Sequence, residues 1–162
     1  AAGPAGKALD VAGGAGRNGL WLAQHGWTVT IADIAEAGLA LARKRAAAAR
    51  MSIETVLVDL EEEALPSGPW DLIVNVLYLQ RSLFESYAAE LRAGGLLFVM
   101  HPTVRNLERH PRPSKRFLLA PGELVEIASE AGLTPLRYEE GWTEQGQHLA
   151  RLLARSEGRG GS

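Results

Sequence analysis

Two features of this sequence have residue types and spacing suited to chemistry: a glycine-rich turn and three acidic residues. The turn is Gly13-Gly14-Ala15-Gly16, and Asp10 stands just before it, while Asp33 and Asp59 end the next two apolar segments. Glycine tolerates positive φ and lets a ligand approach the backbone closely. The free N–H groups of the helix that follows favour an anionic group, and a carboxylate about 20 residues further on can accept from both hydroxyls of a ribose. These residues predict a site for a nucleoside-containing cofactor.

Alternating strands and helices are predicted to position that site. Strands are predicted over residues 8–11, 27–33, 53–58, 70–77 and 96–100, and helices from the turn to Gly26 and over 35–50, 83–91 and 122–131. A closing hairpin is predicted over 133–141 and 148–155, because the connection between these two segments is short. Nearly continuous apolar strands that alternate with helices favour a parallel sheet covered on both faces. The predicted fold is therefore α/β and Rossmann-like, a doubly wound, mostly parallel sheet of seven strands with a C-terminal antiparallel hairpin.

The composition is that of one globular domain. The 162 residues are 46% hydrophobic and carry a formal net charge of −2, so no global basic field favours nucleic acid or membrane. The sequence has no cysteine, which excludes disulfides, thiolate metal ligands and a cysteine nucleophile, and no metal site is predicted. No apolar run approaches the roughly 20 residues of a membrane helix. We expect a cytoplasmic domain over residues 7–156, with a flexible lead-in, 1–6, and a flexible tail, 157–162.

Two kinds of cofactor fit the turn. Residues 14–19 match the G-x-G-x-x-G pattern of dinucleotide sites, which predicts an NAD(P)-binding oxidoreductase. Asp10 is unusual in such a strand, and Arg17 and Asn18 place polar groups at the helix start, where they suit a small zwitterion. The chain also has little room for a second mononucleotide half. The residues therefore favour an aminoacyl nucleoside and leave the dinucleotide open.

The sequence resembles the class I S-adenosylmethionine-dependent methyltransferases. The resemblance runs from Leu9 to about Arg155 and is carried by the segments Leu9–Gly16, Ile31–Ile34, Val58–Leu60, Trp70–Asn75 and Leu91–Leu97. Gly16-Arg17-Asn18 and Leu77–Arg81 are similar to the branch of tellurite-resistance-type and other small-molecule methyltransferases. The resemblance implies S-adenosylmethionine as the cofactor and a small molecule as the methyl acceptor. A catalytically inactive S-adenosylmethionine-binding module is a further alternative.

Several residue roles follow from the resemblance. The residues predicted to bind the cofactor are Asp10, Ala12, Gly13, Gly14, Arg17, Asn18, Asp33, Ile34, Asp59, Leu60, Asn75 and Leu77. Among them, Asp10 would orient the methionine amino end, Asp33 would hold the ribose and Ile34 would pack on adenine. Asn75 would contact the amino-acid part. Ala12 departs from the family, which usually has glycine there, and its methyl group is expected to crowd the turn.

The acceptor side offers no decisive catalytic residue. Methyl transfer needs a general base only when the acceptor must first lose a proton, and the candidates are Tyr78, Arg81 and His101. The loop over residues 105–116 is basic and rich in proline, so it could cover a substrate or contact nucleic acid, although it lacks the interleaved aromatic residues of single-strand binders. The sequence also leaves homo-oligomer formation open.

Overall fold

The computed structural model describes residues 5–158, so most of the predicted lead-in and tail lies outside the described residues. The strands are β1 (Gly6–Val11), β2 (Trp27–Asp33), β3 (Glu54–Leu57), β4 (Trp70–Val76), β5 (Leu91–Pro102), β6 (Leu133–Trp142) and β7 (His148–Ser156). The helices are α1 (Arg17–Gln24), α2 (Glu36–Ala48), α3 (Leu83–Glu90) and α4 (Glu123–Glu130), and short 3₁₀ helices cover Val104–Glu108 and Lys115–Phe117.

The seven strands form one sheet in the order β3-β2-β1-β4-β5-β7-β6. The first five strands run parallel, and β7 pairs antiparallel with both β5 and β6. This confirms the predicted fold class. The strand order reverses between β1 and β4, and in sheets of this kind ligands bind beyond the carboxyl ends of the strands at that point.

Helices cover both faces of the sheet. On one face, α1 and α2 bury Leu22 and Leu39 against Val29 and Ile31. On the other face, α3 and α4 contribute to a larger cluster that includes Leu9 and Ile73. None of the helices within residues 5–158 combines the length and apolar character that a membrane span requires.

The strand pleat decides where the polar residues of the central strands point. Successive side chains alternate between the two faces, so Asp10 faces α1 while its neighbours Leu9 and Val11 join the cluster beneath α3. By the same alternation, Asn75 and His101 lie on the α3 side of β4 and β5. All three polar side chains are buried.

The β5 strand differs most from its prediction. The sequence predicts that this strand begins at residue 96, but β5 already begins at Leu91, which pairs with Trp70 of β4. The register shifts between Trp70 and Leu72, so an irregular pairing accommodates two glycines within the strand. Pairing with β4 therefore extends the strand back across Gly94 and Gly95 to the end of α3.

Candidate cofactor and acceptor site

A cavity of about 330 Å³ opens at the carboxyl end of the central strands. Its wall consists of Ala12, Asp33, Ile34, Val58, Asp59, Leu60, Glu61 and Tyr78. Carboxylates of Asp33 and Asp59 stand beside apolar side chains, and Ile34 is 64% exposed at the rim. An exposed apolar residue between two acids can pack on a flat aromatic base while the acids accept hydrogen bonds from its polar edge or from a sugar.

The glycine-rich turn is fixed to β2 by Asp33. One carboxylate oxygen of Asp33 accepts from the N–H of Gly14 at 2.8 Å, and the other accepts from the N–H of Ala35 at 2.9 Å. Each carboxylate oxygen can accept a second hydrogen bond, so Asp33 can hold a ligand hydroxyl and the turn together. Gly14 itself has φ 53°, in the left-handed region that glycine adopts readily.

Asp10 lies beneath the turn and does not line the cavity. Its side chain is 1% exposed, and its Oδ2 has no hydrogen-bond partner within the protein. A Cβ atom at Gly13 would lie 2.5 Å from that oxygen, so the turn packs directly on the carboxyl group. Burial raises the pKa of Asp10 to about 7, the backbone amide of Gly19 partly offsets this, and the charge of Asp33 adds to it. The predicted contact of Asp10 with the cofactor stays a prediction, and the geometry favours an action through the turn.

Ala12 adopts a left-handed conformation with φ 54°. The crowding expected from its methyl group therefore takes the form of backbone strain, because the Cβ atom of an L-residue approaches the carbonyl oxygen in this region. Its side chain also forms part of the cavity wall. Leu77, after β4, has φ 68°, so two strained residues adjoin the site, as is common where binding needs a fixed geometry.

A second cavity of about 530 Å³ adjoins the first. Its wall consists of Glu61, Leu77, Tyr78, Leu79, Gln80, His101, Pro102, Pro113, Phe117 and Gln147. Glu61 and Tyr78 belong to both walls, so they stand at the boundary between the two. We refer to the first as the cofactor cavity and to the second as the acceptor cavity.

A chain of hydrogen bonds holds Tyr78 at that boundary. The buried Asn75 donates to the Tyr87 hydroxyl at 2.9 Å and accepts from the N–H of Tyr78 at 3.3 Å. The Tyr78 hydroxyl donates to Gln80 at 2.5 Å, and Gln80 donates to the carbonyl of Leu60 at 2.8 Å. Asn75 lines neither cavity, so its position indicates that it fixes the backbone of Tyr78. Its predicted contact with the cofactor stays a prediction.

Arg81 is engaged in contacts that connect α3 to the loop before α4. It forms an ion pair with Glu123, with an N–O distance of 2.5 Å, and donates to the carbonyls of Arg116 and Leu118. The carboxylate of Glu123 raises the pKa of Arg81 further above its usual value, so Arg81 stays protonated and cannot act as a base. These contacts indicate that Arg81 stabilises the position of the loop. Arg81 does not line the acceptor cavity.

The basic loop is tied to the hairpin by a buried polar cluster. Asn106 is 4% exposed, and it donates to the carbonyls of Thr103 and His148 at 2.8 and 2.7 Å. It also accepts from the N–H of His148 at 3.0 Å. Further along, Arg105 pairs with Glu108, and Arg109 lies 3.8 Å from the centre of the Trp142 ring. Sequence reasoning missed Asn106, because its partner His148 is 42 residues away.

We expect Asn106→Ala to lower the free energy of unfolding by about 2–3 kcal/mol. The change removes three buried hydrogen bonds, two to His148 and one to the carbonyl of Thr103, and each contributes about 1 kcal/mol. The carbonyl of His148 still accepts from the N–H of Thr103. Chemical denaturation measures the loss. Glu108→Ala is the matched control in the same loop, because it removes only an exposed ion pair worth about 1 kcal/mol or less. Equal stability of the two variants would contradict a structural role for the cluster.

The structure thus brings together part of the predicted site. Ala12, Asp33, Ile34, Asp59 and Leu60 line the cofactor cavity, and Gly13 and Gly14 form the turn beside it. Arg17 and Asn18 begin α1, as predicted, with Arg17 exposed. Leu77, Tyr78 and His101 line the acceptor cavity. Among residues 5–158, no three His, Asp or Glu side chains form a group that could hold a metal ion.

The fold is an α/β domain with two adjoining cavities at the carboxyl end of its sheet. The sequence over residues 8–95 matches the profile of the methyltransferase domain family, and the chain belongs to that family. This confirms the resemblance predicted from the sequence, and with it S-adenosylmethionine as the cofactor. A search of curated proteins found no significant match.

Solved structures show the same fold. TehB from Haemophilus influenzae is 25% identical with a TM-score of 0.80, over 94% of this chain and 58% of TehB. The chain therefore spans somewhat more than half the length of that protein. An S-adenosylmethionine-dependent methyltransferase from Mesorhizobium loti is 19% identical with a TM-score of 0.76, over 94% and 91% of the two chains. The magnesium protoporphyrin IX methyltransferase of Synechocystis PCC 6803, crystallised with S-adenosylmethionine, is 16% identical with a TM-score of 0.73, over 94% and 71%.

Proposed function

We propose that this chain transfers a methyl group from S-adenosylmethionine to a small-molecule acceptor. The observation that carries the proposal is the pair of adjoining cavities, one lined by acids and the other largely by apolar side chains, with Tyr78 and Glu61 at their boundary. An electrophilic methyl group and its acceptor must meet in line, and two cavities with a common wall allow that arrangement.

The residues of the cofactor cavity fit an aminoacyl nucleoside. Asp33 retains acceptor capacity for the ribose hydroxyls, Ile34 offers an apolar face to adenine, and Asp59 with Leu60 can frame the base. Gly13 and Gly14 leave the turn open to the amino-acid end, and Arg17 and Asn18 offer polar groups at the start of α1. All of these assignments are proposals that a complex with S-adenosylhomocysteine would test atom by atom.

The cofactor, when bound, supplies a methyl group on a positively charged sulfur. The chain's own contribution is to place the acceptor and to exclude water. The Asn75–Tyr78–Gln80 hydrogen bonds hold the boundary wall, and the Asn106 cluster and Arg81 hold the loop that covers the acceptor cavity. Such positioning is the main requirement for an in-line transfer, because the cofactor already carries the reactivity.

Calorimetric titration separates this proposal from its alternatives. We expect S-adenosylhomocysteine to bind and NAD(P)H to bind weakly or not at all. Tight binding of NAD(P)H without binding of S-adenosylhomocysteine would overturn the proposal. An inactive cofactor-binding module would be favoured by an acceptor side filled with side chains, whereas the structure has a cavity of about 530 Å³ there.

We expect Ala12→Gly to raise the free energy of unfolding by about 1 kcal/mol and to tighten S-adenosylhomocysteine binding several-fold. Glycine removes the left-handed strain, which costs roughly 1–2 kcal/mol for a residue with a Cβ atom, and it opens the turn. Thermal unfolding and calorimetry measure the two effects.

Arg50→Gly is the matched control for Ala12→Gly. Arg50 has φ 56° just after α2 and lines neither cavity, so its replacement should stabilise the protein similarly without changing the dissociation constant. A weaker affinity in Ala12→Gly than in the parent protein would show that the methyl group contacts the cofactor favourably.

We also propose a class of methyl acceptor and a cellular location for this chain. A small-molecule acceptor fits the dimensions of the acceptor cavity, and a cytoplasmic location is consistent with the absence of cysteine. In the basic loop, Arg105 pairs with Glu108 and Arg109 lies over the ring of Trp142. These two cations are therefore less available for contacts with nucleic-acid phosphates. Nucleic-acid binding through the loop stays a disfavoured alternative, and homo-oligomer formation stays an open one.

A further inference from the structure

We propose that the methyl acceptor is an elongated molecule with a carboxylate at the end remote from its reacting atom, and that Arg112 binds this carboxylate. The inference rests on the proposed function and deepens it, because it assigns a binding site for one end of the substrate. Its basis is a third cavity, which adjoins the acceptor cavity and has a guanidinium group in its wall. We refer to this third cavity as the distal pocket.

The distal pocket has a volume of about 180 Å³. Its wall consists of Pro102, Asn106, His110, Arg112, Pro113, Gln145 and Gln147. Three of these residues also line the acceptor cavity, namely Pro102, Pro113 and Gln147. Because the two cavities have these residues in common, one ligand of sufficient length can occupy both.

The acceptor cavity and the distal pocket differ in the charge of their walls. Glu61 lines the acceptor cavity, and none of the described Lys or Arg residues does. Arg112 lines the distal pocket, whereas no Asp or Glu within residues 5–158 lines it. Glu61 also belongs to the wall of the cofactor cavity, so the negative group lies at the end where the methyl group is transferred. An acceptor that carries a carboxylate is therefore oriented by charge, with its anionic end at Arg112.

The side chain of Arg112 is available for a ligand. Three other arginines of the basic loop are engaged within the protein, in an ion pair or over an aromatic ring: Arg105, Arg109 and Arg116. Within residues 5–158, Arg112 takes part in no such ion pair or ring contact. Its guanidinium group is permanently charged, so it can offer two parallel N–H groups to a carboxylate.

The backbone that carries Arg112 is placed before a ligand binds. His110 donates from Nε2 to the carbonyl of Gly146 at 2.8 Å, and this hydrogen bond ties the basic loop to the turn of the hairpin. Pro113 follows Arg112 directly, and a proline restricts the backbone of the residue before it. Less conformational freedom is therefore lost when a ligand binds, which favours affinity.

A single guanidinium group favours a carboxylate over a phosphate monoester. A carboxylate has one negative charge and matches the planar fork of the guanidinium group. A phosphate monoester has almost two charges, and among the described residues no second Lys or Arg lines the distal pocket. Gln147, at the junction of the two cavities, can donate a further hydrogen bond from its amide group. The apolar part of the acceptor then lies in the acceptor cavity, where five of the lining residues are Leu, Pro or Phe.

A pair of probes of the same size tests the carboxylate site. 4-Phenylbutyrate has an apolar ring and a carboxylate, and 4-phenylbutanamide has an uncharged amide in place of the carboxylate. On protein loaded with S-adenosylhomocysteine, calorimetry at low ionic strength should show at least about tenfold tighter binding of the butyrate, because its pair with Arg112 is charge-assisted and weakly screened there.

Three results with the parent protein would overturn the inference. They are equal or tighter binding of the amide, no binding of 4-phenylbutyrate at millimolar concentration, and tighter binding of 3-phenylpropyl phosphate than of 4-phenylbutyrate. The last result would replace the carboxylate by a phosphate as the group that the distal pocket binds.

The variant Arg112→Gln tests the assignment of the guanidinium group. Arg112 is exposed, so the fold should tolerate the change, and the dissociation constants of the two probes should come within about twofold of each other once the charge-assisted pair is lost. Lys115→Gln is the matched control, because Lys115 belongs to the same loop but lines neither the acceptor cavity nor the distal pocket. It should keep the preference for the butyrate. An equal loss of preference in both variants would overturn the assignment, since the general charge of the loop would then attract the carboxylate.

Binding of S-adenosylhomocysteine tests the proposed function separately. Its dissociation constant should be the same in the parent protein and in both variants, because neither Arg112 nor Lys115 lines the cofactor cavity. If S-adenosylhomocysteine does not bind to the parent protein, the proposed function fails. If it binds and the two probes bind equally, the proposed function stands and the carboxylate site at Arg112 is refuted.

Discussion

Asp33→Asn should raise the dissociation constant for S-adenosylhomocysteine by about 10- to 100-fold. The variant keeps the size of the side chain and one carbonyl oxygen, but it removes the negative charge and half of the acceptor capacity. Hydrogen bonds to a charged group contribute about 1.5–3 kcal/mol, and 1.4 kcal/mol corresponds to a tenfold change in affinity. Calorimetry measures the change directly.

The reason for so large an effect is the double role of Asp33. Its carboxylate holds the N–H groups of Gly14 and Ala35 and also lines the cofactor cavity. The amide group of asparagine must turn an NH₂ group toward one of those donors, so the turn loosens as the ligand contact weakens.

Glu62→Gln is the matched control for Asp33→Asn. It removes one negative charge three residues beyond Asp59, from an exposed side chain outside the cavity wall. Its dissociation constant should stay within about twofold of the parent value, because exposed charges are strongly screened. A similar loss of affinity in both variants would mean that the general negative field holds the ligand, and a normal affinity in Asp33→Asn would remove Asp33 from the site.

Local sequence patterns predicted the elements that carry this site. The β-branched run in Trp27–Asp33 gave β2 its correct bounds, and the alternation of strands and helices predicted the parallel sheet. Asp33 and Asp59 follow adjacent parallel strands, so their proximity at one edge of the sheet was also predictable. These features depend on residues close in the chain.

The positions that sequence reasoning left unsettled depend on contacts between distant residues. Asp10 and Asn75 have the residue types of ligand contacts, but the strand pleat and the helices above them place both in the interior. Arg81 pairs with Glu123, 42 residues further along, and no local pattern shows that pair. The start of β5 at Leu91 depends on Trp70 in the same way.

Asp10→Asn should stabilise the ligand-free protein, and the gain should grow as the pH rises from 4 to 7. Asp10 has a folded-state pKa of about 7 instead of 3.8. Between these values the unfolded chain has released its proton while the folded protein retains it, so stability falls as the pH rises. Above pH 7 the full cost of burying the charge remains. Since 1.36 kcal/mol corresponds to one pKa unit, the gain at pH 8 is at most about 4 kcal/mol.

Asp71→Asn is the control for Asp10→Asn, because its effect on the free energy of unfolding should have the opposite sign. The backbone N–H of Lys7 and then the guanidinium of Arg92 lower the pKa of Asp71, so its contribution to stability is present at neutral pH and is lost as the pH falls below its unfolded value. Asp71→Asn should therefore destabilise the protein at pH 7 and have little effect in acid. Denaturation of both variants from pH 2 to 8 compares the two signs, because Asp71 titrates below its ordinary value of 3.8. A pH-independent effect of Asp10→Asn would show that water reaches the carboxyl group, although Gly13 packs so closely on it that the site leaves no room for a Cβ atom.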